Sequence, residues 1–320
     1  MFDVTLPTAT TTNHATRELR HLTAALDEAQ AQILGGDGER GTADLVDLLD
    51  RVLNEIPVAA HDAVLKACRE HTLHQVLLED PYTARAFHKP RGYAGDAVML
   101  DYLYSGLVPP GTSPVGADVF RATTGCATAR SVVARRNLLS CAIDRAAENR
   151  RRPNVLAVAS GHLREAVGSN SLAAGGLGSF LALDQDAESL SVVERDYGSL
   201  GVRAVRESVG ALLKRRVVFS ELDLVYAAGL FDYLDDRTAR ALVEILFSTL
   251  LPGGRLLVAN FTPRHQARAY MAWFMDWRLI CRDEVGLASL TTGIATSDIA
   301  ETQLFTDAPG NIAYLELVRR

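Results

Sequence analysis

Cysteine is scarce in this chain. The four residues, Cys68, Cys126, Cys141 and Cys281, stand far apart, and none belongs to a Cys-x-x-Cys pair. That spacing argues against a zinc site or a redox dithiol, so no metal ligand is expected. It predicts reduced thiols and a cytoplasmic location. Long apolar runs are missing too, and no window approaches the ~18 apolar residues that a membrane span needs. Residues 1–16 are polar and rich in threonine, without the apolar stretch of a secretory leader, so no signal peptide is expected. Nor is there an excess of basic charge. The 33 Lys and Arg against 39 Asp and Glu leave a formal net charge of −6, which removes the overall footprint of a nucleic-acid binder. Arg130, Arg135, Arg136, Arg145, Arg150, Arg151 and Arg152 read as the solvated face and end of one helix. What the chain does have is 320 residues that are 48% hydrophobic, enough for a sizeable core in one large or two smaller domains.

Two textures divide the sequence. Residues 1–150 read as helical: apolar residues recur at helical spacing over 14–34, 42–56 and 58–78, then again over 97–104 and 128–148. Pro81, Pro90, Gly92 and Gly95 mark 81–96 as irregular, and 108–114 reads as a loop. From Pro153 strands alternate with helices, the pattern of a parallel sheet with crossover helices. The strands are placed at 154–159, 179–184, 202–206, 222–227 and 254–260. Helices fill 163–173, 187–197, 236–250 and 266–278. Two last strands, near 300–306 and 311–318, flank a turn at 307–310 and should form an antiparallel hairpin. The division expected is a domain of residues 1–150 and an α/β domain of residues 151–320.

The breaks in the second half fall where a doubly wound sheet presents its carboxyl edge, the place where such sheets bind nucleotide-like ligands. The first strand breaks at Ala159-Ser160-Gly161. Glycine there lets the backbone approach a ligand. The turn is poorer in glycine than a pyrophosphate cradle, which favours a ligand with ribose and adenine but no phosphate. Asp184 ends the second strand, where a carboxylate can accept from two ribose hydroxyls; Gln185 follows it. Asp186 suits the cap of the next helix. Ser208 and Val209, after the third strand, are placed at an adenine edge. After the fourth, Ala228 and Gly229 turn the chain, and Asp232 and Tyr233 lie near the ligand's reactive end or cap the next helix. His162 reads as structural, or as a base beside the turn; Trp273, Phe274 and Trp277 read as core, or as an aromatic cluster at an acceptor site.

These segments resemble the class I S-adenosylmethionine-dependent methyltransferases over residues 150–320. The first turn departs from that family's acidic-x-Gly-x-Gly-x-Gly form. The amino-terminal half adds His88-Lys89-Pro90-Arg91-Gly92-Tyr93-Ala94-Gly95-Asp96, which sets a cation, an aromatic and a carboxylate between glycines. Such a loop suits a sulfonium with an amino-acid tail: Tyr93 offers a π face to the S⁺, Asp96 accepts from the ammonium, and Arg91 pairs the carboxylate. The alternative is a tight loop that packs helices. Arg-Gly-Tyr-Ala-Gly-Asp is similar to a bacterial subgroup that includes proteins making 3-hydroxypalmitic acid methyl ester. With Ser-Gly-His-Leu-Arg-Glu, Leu-Asp-Gln-Asp and Gly-Leu-Phe-Asp-Tyr-Leu, the resemblance extends over residues 80–320.

The resemblance implies a Rossmann-like sheet, mostly parallel with an antiparallel last strand, and a helical amino-terminal domain lying over the cofactor cleft. It implies S-adenosylmethionine as cofactor and methyl transfer to a small molecule of bacterial secondary metabolism or signalling. Tyr93, Asp96, Asp232 and Tyr233 are then the catalytic candidates. The same scaffold serves azetidine-2-carboxylate synthases, in which the cofactor's amine attacks its own γ-carbon and releases methylthioadenosine. A binding protein without catalysis is the third reading. A homodimer is compatible with all three; nucleic acid and membrane are not expected partners.

Overall fold

The computed structural model describes residues 9–320, with side chains from residue 19 onward. The first eight residues of the segment at 1–16, where no signal peptide is expected, therefore lie outside the described residues. Two compact units result. The first holds the amino-terminal residues through Ala129 together with Gln266–Arg278; the second holds Arg130–His265 and Leu279–Arg320. The helix Ala127–Asn149 thus contributes mostly to the second unit, and the boundary falls well before residue 150.

The first unit is helical, as its spacing predicts, but its helices are more numerous and shorter. Ala9–Leu34 and Gly38–Glu55 match the expected segments. The expected single helix at 58–78 is broken into Val58–Ala60, His61–Glu70 and Leu73–Leu77, and the second break falls at His71, which adopts an extended conformation. The region 81–96 is not irregular throughout. Pro81–His88 is a helix, with Pro81 at its first position and Asp80 as its cap. Proline fits there because its missing N–H would have no partner in the helix. Ala97–Ser105 follows as expected, and Pro114–Gly125 is a further helix that the periodicity did not reveal.

Asp80 organises this unit. Its carboxylate accepts from the N–H groups of Tyr82 and Thr83 at 2.8 and 3.1 Å, and from the hydroxyls of Thr83 and Thr123 at 2.7 and 3.0 Å. Thr83 is also 2.9 Å from the Tyr270 hydroxyl, so the segment Gln266–Arg278 is drawn into the same polar cluster. Asp50 caps that segment, accepting from the N–H groups of Ala267 and Ala269. At its far end Asp276 pairs with Lys89 and Arg69. The helix within it is only Arg268–Trp273, and Trp273, Phe274 and Trp277 are buried, as a core role requires.

The second unit is a seven-stranded sheet in the order β3-β2-β1-β4-β5-β7-β6. The strands are β1 (Asn154–Val158), β2 (Ser179–Asp184), β3 (Val202–Arg206), β4 (Leu222–Ala227), β5 (Leu250–Phe261), β6 (Ile299–Thr306) and β7 (Ile312–Arg319). The first five pair in parallel, and β7 runs antiparallel between β5 and β6. This is the mostly parallel, Rossmann-like sheet that the sequence predicts, with the final hairpin in place. β4 is buried along its whole length, which explains its unbroken apolar run in a sheet covered on both faces. β5 starts at Leu250, before the expected 254, so Pro252 and Gly253 lie inside an irregular strand entry and not in a free turn.

Helices Ala187–Tyr197 and Asp236–Ser248 match their predicted positions. The predicted helix at 163–173 does not form as one piece. A 3-10 turn at Arg164–Gly168 gives way at Ser169, which caps a short helix Asn170–Ala173. Asp144 fixes this break by accepting from the Ser169 hydroxyl and from the N–H groups of Asn170 and Ser171. The arginines of 130–152 are not simply solvated. Arg135 is buried, Arg145 pairs with buried Glu316, and Arg150 pairs with Asp223 at the start of β4.

Replacing Asp80 with alanine removes a helix cap and leaves buried hydroxyls without their acceptor. The expected loss is about 2–4 kcal/mol of unfolding free energy, measured by urea denaturation. A loss below about 0.5 kcal/mol would contradict the role given to Asp80.

Candidate functional site

β1 lies between β2 and β4, so the sheet order reverses at β1/β4. Crevices at such reversals, outside the carboxyl ends of the strands, are where open α/β sheets bind ligands. The segments leaving β1, β2 and β4 meet this edge.

The turn after β1 is strained in a regular way. Ala159, Gly161 and Leu163 all have positive φ, at 53, 54 and 53°. Gly161 bears this without steric penalty, whereas each non-glycine residue in the left-handed region costs about 1–2 kcal/mol. Strain of this kind persists only where surrounding contacts hold it. Those contacts are visible. The Ser160 N–H donates to the Leu183 carbonyl at 3.1 Å, and the Gly161 N–H donates to Asp184 Oδ2 at 2.8 Å. Asp184 Oδ1 accepts from the Asp186 N–H at 2.9 Å. Asp186 caps Ala187–Tyr197 by accepting from the Glu188 N–H and the Ser189 hydroxyl, as expected. Asp184 is therefore not the helix cap. Each of its oxygens holds one backbone N–H and keeps further lone pairs. Gln185 beside it is exposed.

Ser160 Oγ is buried without a hydrogen-bond partner among the described residues. Glu165, in the 3-10 turn that follows, is buried. It accepts from the Tyr226 hydroxyl at 2.7 Å, and the Ser140 hydroxyl binds its carbonyl at 2.6 Å. Burial raises the Glu165 carboxyl, and burial next to that carboxyl holds the Tyr226 proton firmly. His162 is buried.

Ser208 caps the helix Val209–Leu213, accepting from the Ala211 N–H at 3.2 Å, and Val209 opens that helix. After β4, Ala228 is half-buried and Gly229 exposed. The Ala228 carbonyl accepts from Arg135. Asp232 is buried, and its Oδ1 accepts from Asn260 Nδ2 and the Phe261 N–H, both at 2.7 Å. Arg282 completes this cluster by donating to the carbonyls of Phe231 and Leu234, to Asn260 Oδ1 and to Asp236. The geometry thus gives Asp232 the task of fixing the 229–236 segment to β5. Tyr233, on the same 3-10 turn, is 40% exposed.

The loop candidates belong to the first unit. Gly92 and Gly95 have positive φ, and Arg91 and Tyr93 are half-buried between and beside them. Asp96 is 1% exposed and already committed. It caps Ala97–Ser105 through the N–H groups of Val98 and Met99, and it accepts a forked pair from Arg85 at 2.7–2.9 Å. A carboxylate so enclosed holds its loop. The expected roles as ammonium acceptor and catalytic group give way to that structural one.

The sequence pattern does not single out Glu165 or Tyr226, and it puts Arg135 on a solvated face. Arg135 had a readable signal, since it falls on the stripe of Val132, Leu139 and Ile143, all buried. Tyr226 is the one polar tip in an otherwise apolar strand end, and it points to a buried acceptor.

No family model matches the sequence, and no curated protein does. A solved structure described as that of a possible exported protein from Bordetella parapertussis is similar at a TM-score of 0.58 and 15% identity, over 98% of this chain and 99% of that one. That likeness is one of fold. Magnesium protoporphyrin IX methyltransferase ChlM from Synechocystis PCC 6803, with S-adenosylmethionine bound, gives 0.44 at 15% identity over 71% and 99% of the chains. N-methyltransferase NodS from Bradyrhizobium japonicum WM9, with S-adenosylhomocysteine, gives 0.41 at 12% over 58% and 87%. Among the described residues no helix is long and apolar enough to cross a membrane.

Burial pushes the Asp232 carboxyl up to about 6, against the lowering effect of the Phe261 N–H and the charges of Arg135 and Arg282. The folded state then binds the proton more tightly than the unfolded chain, whose Asp titrates near 3.8. This contribution to stability is fully present below about 3.8 and is lost as pH rises through about 6. Asp232→Asn keeps an acceptor oxygen but cannot titrate. Urea denaturation in a pH series should show the wild type losing on the order of 2–3 kcal/mol more than the variant between pH 4 and 7. Parallel pH profiles would contradict the assignment.

Proposed function

We propose that the protein is an S-adenosylmethionine-dependent methyltransferase acting on a small molecule of bacterial secondary metabolism or signalling. One observation carries the reading: Asp184, at the carboxyl end of β2, is anchored by the backbone of the strained turn after β1 and still has lone pairs to offer. The residues around it suit the cofactor. Ser160 brings a buried hydroxyl without a partner among the described residues, and the turn lacks the glycines that two phosphates would need. The motif resemblance along residues 80–320 points the same way.

In this reading Asp184 accepts from the vicinal ribose hydroxyls, with Gln185 beside it. Ala159, Ser160 and Gly161 bring backbone and hydroxyl to the amino-acid tail. Ser208 and Val209 lie along the adenine edge. Ala228 and Gly229 border the reacting end, held in place by Asp232 through Asn260 and Phe261. When bound, the cofactor supplies an activated methyl group. The chain's own contribution is orientation of the reacting partners and exclusion of water, which suits an in-line displacement.

The test is the nucleoside formed from S-adenosylmethionine by the purified protein, read by mass spectrometry with and without a panel of small carboxylic, phenolic and amine acceptors. S-adenosylhomocysteine that appears only with an acceptor is the expected result. Methylthioadenosine without an acceptor would overturn methyl transfer in favour of cyclisation to azetidine-2-carboxylate. Tight binding with neither product would make the protein a sensor.

A further inference from the structure

Arg135 lies on the helix Ala127–Asn149 with only 5% of its surface exposed. Its guanidinium donates through Nη1 to the Ala228 carbonyl. Among the described residues that is its one hydrogen bond, and it forms no ion pair. It faces the turn after β4, where a methyl group placed on Gly229 would lie 3.9 Å from Nη2. Two carboxyls act on the same region through their charge, Glu165 and Asp232. Both are engaged elsewhere: Glu165 accepts from Tyr226, and Asp232 accepts from Asn260 and the Phe261 N–H. A guanidinium has five N–H donors. One carbonyl does not offset the burial of such a charge, which normally requires a hydrogen-bonded counter-ion.

We propose that Arg135 is the anion-binding residue of the site, and that its ligand is a carboxylate. The planar fork of the guanidinium matches a carboxylate through two parallel hydrogen bonds. A phosphate is disfavoured because the neighbouring turn after β1 has no glycine-rich cradle. The inference rests on the methyltransferase reading for the identity of the site, and it adds the group that the site recognises. The carboxylate comes either from the amino-acid tail of S-adenosylmethionine or from a methyl acceptor that is itself a carboxylic acid.

The experiment uses the full chain with Arg135→Gln and Arg135→Lys, each checked for folding by circular dichroism and thermal unfolding. Calorimetry compares S-adenosylmethionine with its decarboxylated analogue. If the cofactor tail is the source, Arg135→Gln weakens S-adenosylmethionine about 10- to 100-fold, leaves the decarboxylated analogue unchanged, and Arg135→Lys falls between. If the acceptor is the source, both nucleosides bind all three proteins alike. Octanoate or benzoate then raises the unfolding temperature of the wild type saturated with S-adenosylhomocysteine, but not that of Arg135→Gln.

Equal weakening of both nucleosides would mean that Arg135 only shapes the turn after β4, and would overturn the proposal. So would identical behaviour of wild type and Arg135→Gln in both arms, or stabilisation by inorganic phosphate equal to that by the carboxylates. A wild type that binds neither nucleoside sinks the methyltransferase reading alone. The carboxylate arm, run without nucleoside, then still decides the role of Arg135.

Discussion

The carboxylate of Asp184 joins the ends of two neighbouring strands. One oxygen takes the N–H of Gly161 after β1, and the other takes the N–H of Asp186 after β2. The turn after β1 alternates left-handed residues at positions 159, 161 and 163, two of them not glycine, and would relax without an external tie. Asp184 supplies that tie, together with the bond from the Ser160 N–H to the Leu183 carbonyl. It also sets the start of the helix Ala187–Tyr197 through Asp186. A side chain that fixes backbone on both sides is held in one orientation, which is the condition for reading a ligand's hydroxyl groups with little further ordering cost.

The segment after β4 follows the same logic with different parts. Asp232, Asn260 and Arg282 form a buried polar cluster that fastens residues 229–236 to the end of β5. Arg135 holds the Ala228 carbonyl, and Tyr226 on β4 is bonded to Glu165 in the segment after β1. Each carboxyl group in this layer has a partner, whereas Arg135 and Ser160 Oγ keep capacity that the described residues do not use. Groups with spare capacity at a sheet reversal are the natural contacts for a polar ligand.

The sheet was legible in the sequence because each buried strand is a short apolar run bounded by turn residues. β1 to β4 therefore lie within one residue of where the pattern puts them. The carboxyl-edge residues were legible for the same reason, as they are the first polar positions after those runs. The helix breaks were not. His71 and Ser169 interrupt segments whose apolar spacing continues through them, and the cause at Ser169 is a distant side chain, Asp144. The helix Pro81–His88 was masked by reading Pro81 as a breaker, although Asp80 before it marks a capped helix start. Asp96 was legible as important but not in kind. Its enclosure by Arg85 depends on a partner eleven residues earlier that no local pattern announces. Arginine on a helix is usually solvated, and only the packing of that helix shows that Arg135 is buried.

We propose that Asp184 reads ribose while it holds the turn. The most direct measurement compares affinity for S-adenosylhomocysteine with that for its 2′-deoxy analogue, in the wild type and in Asp184→Ala. The wild type should prefer the ribose form by about 10- to 100-fold, as expected for a hydrogen bond to a charged acceptor. Asp184→Ala should bind both forms weakly and without preference. A wild type indifferent to the missing hydroxyl, or an Asp184→Ala protein that keeps the preference, would contradict the account.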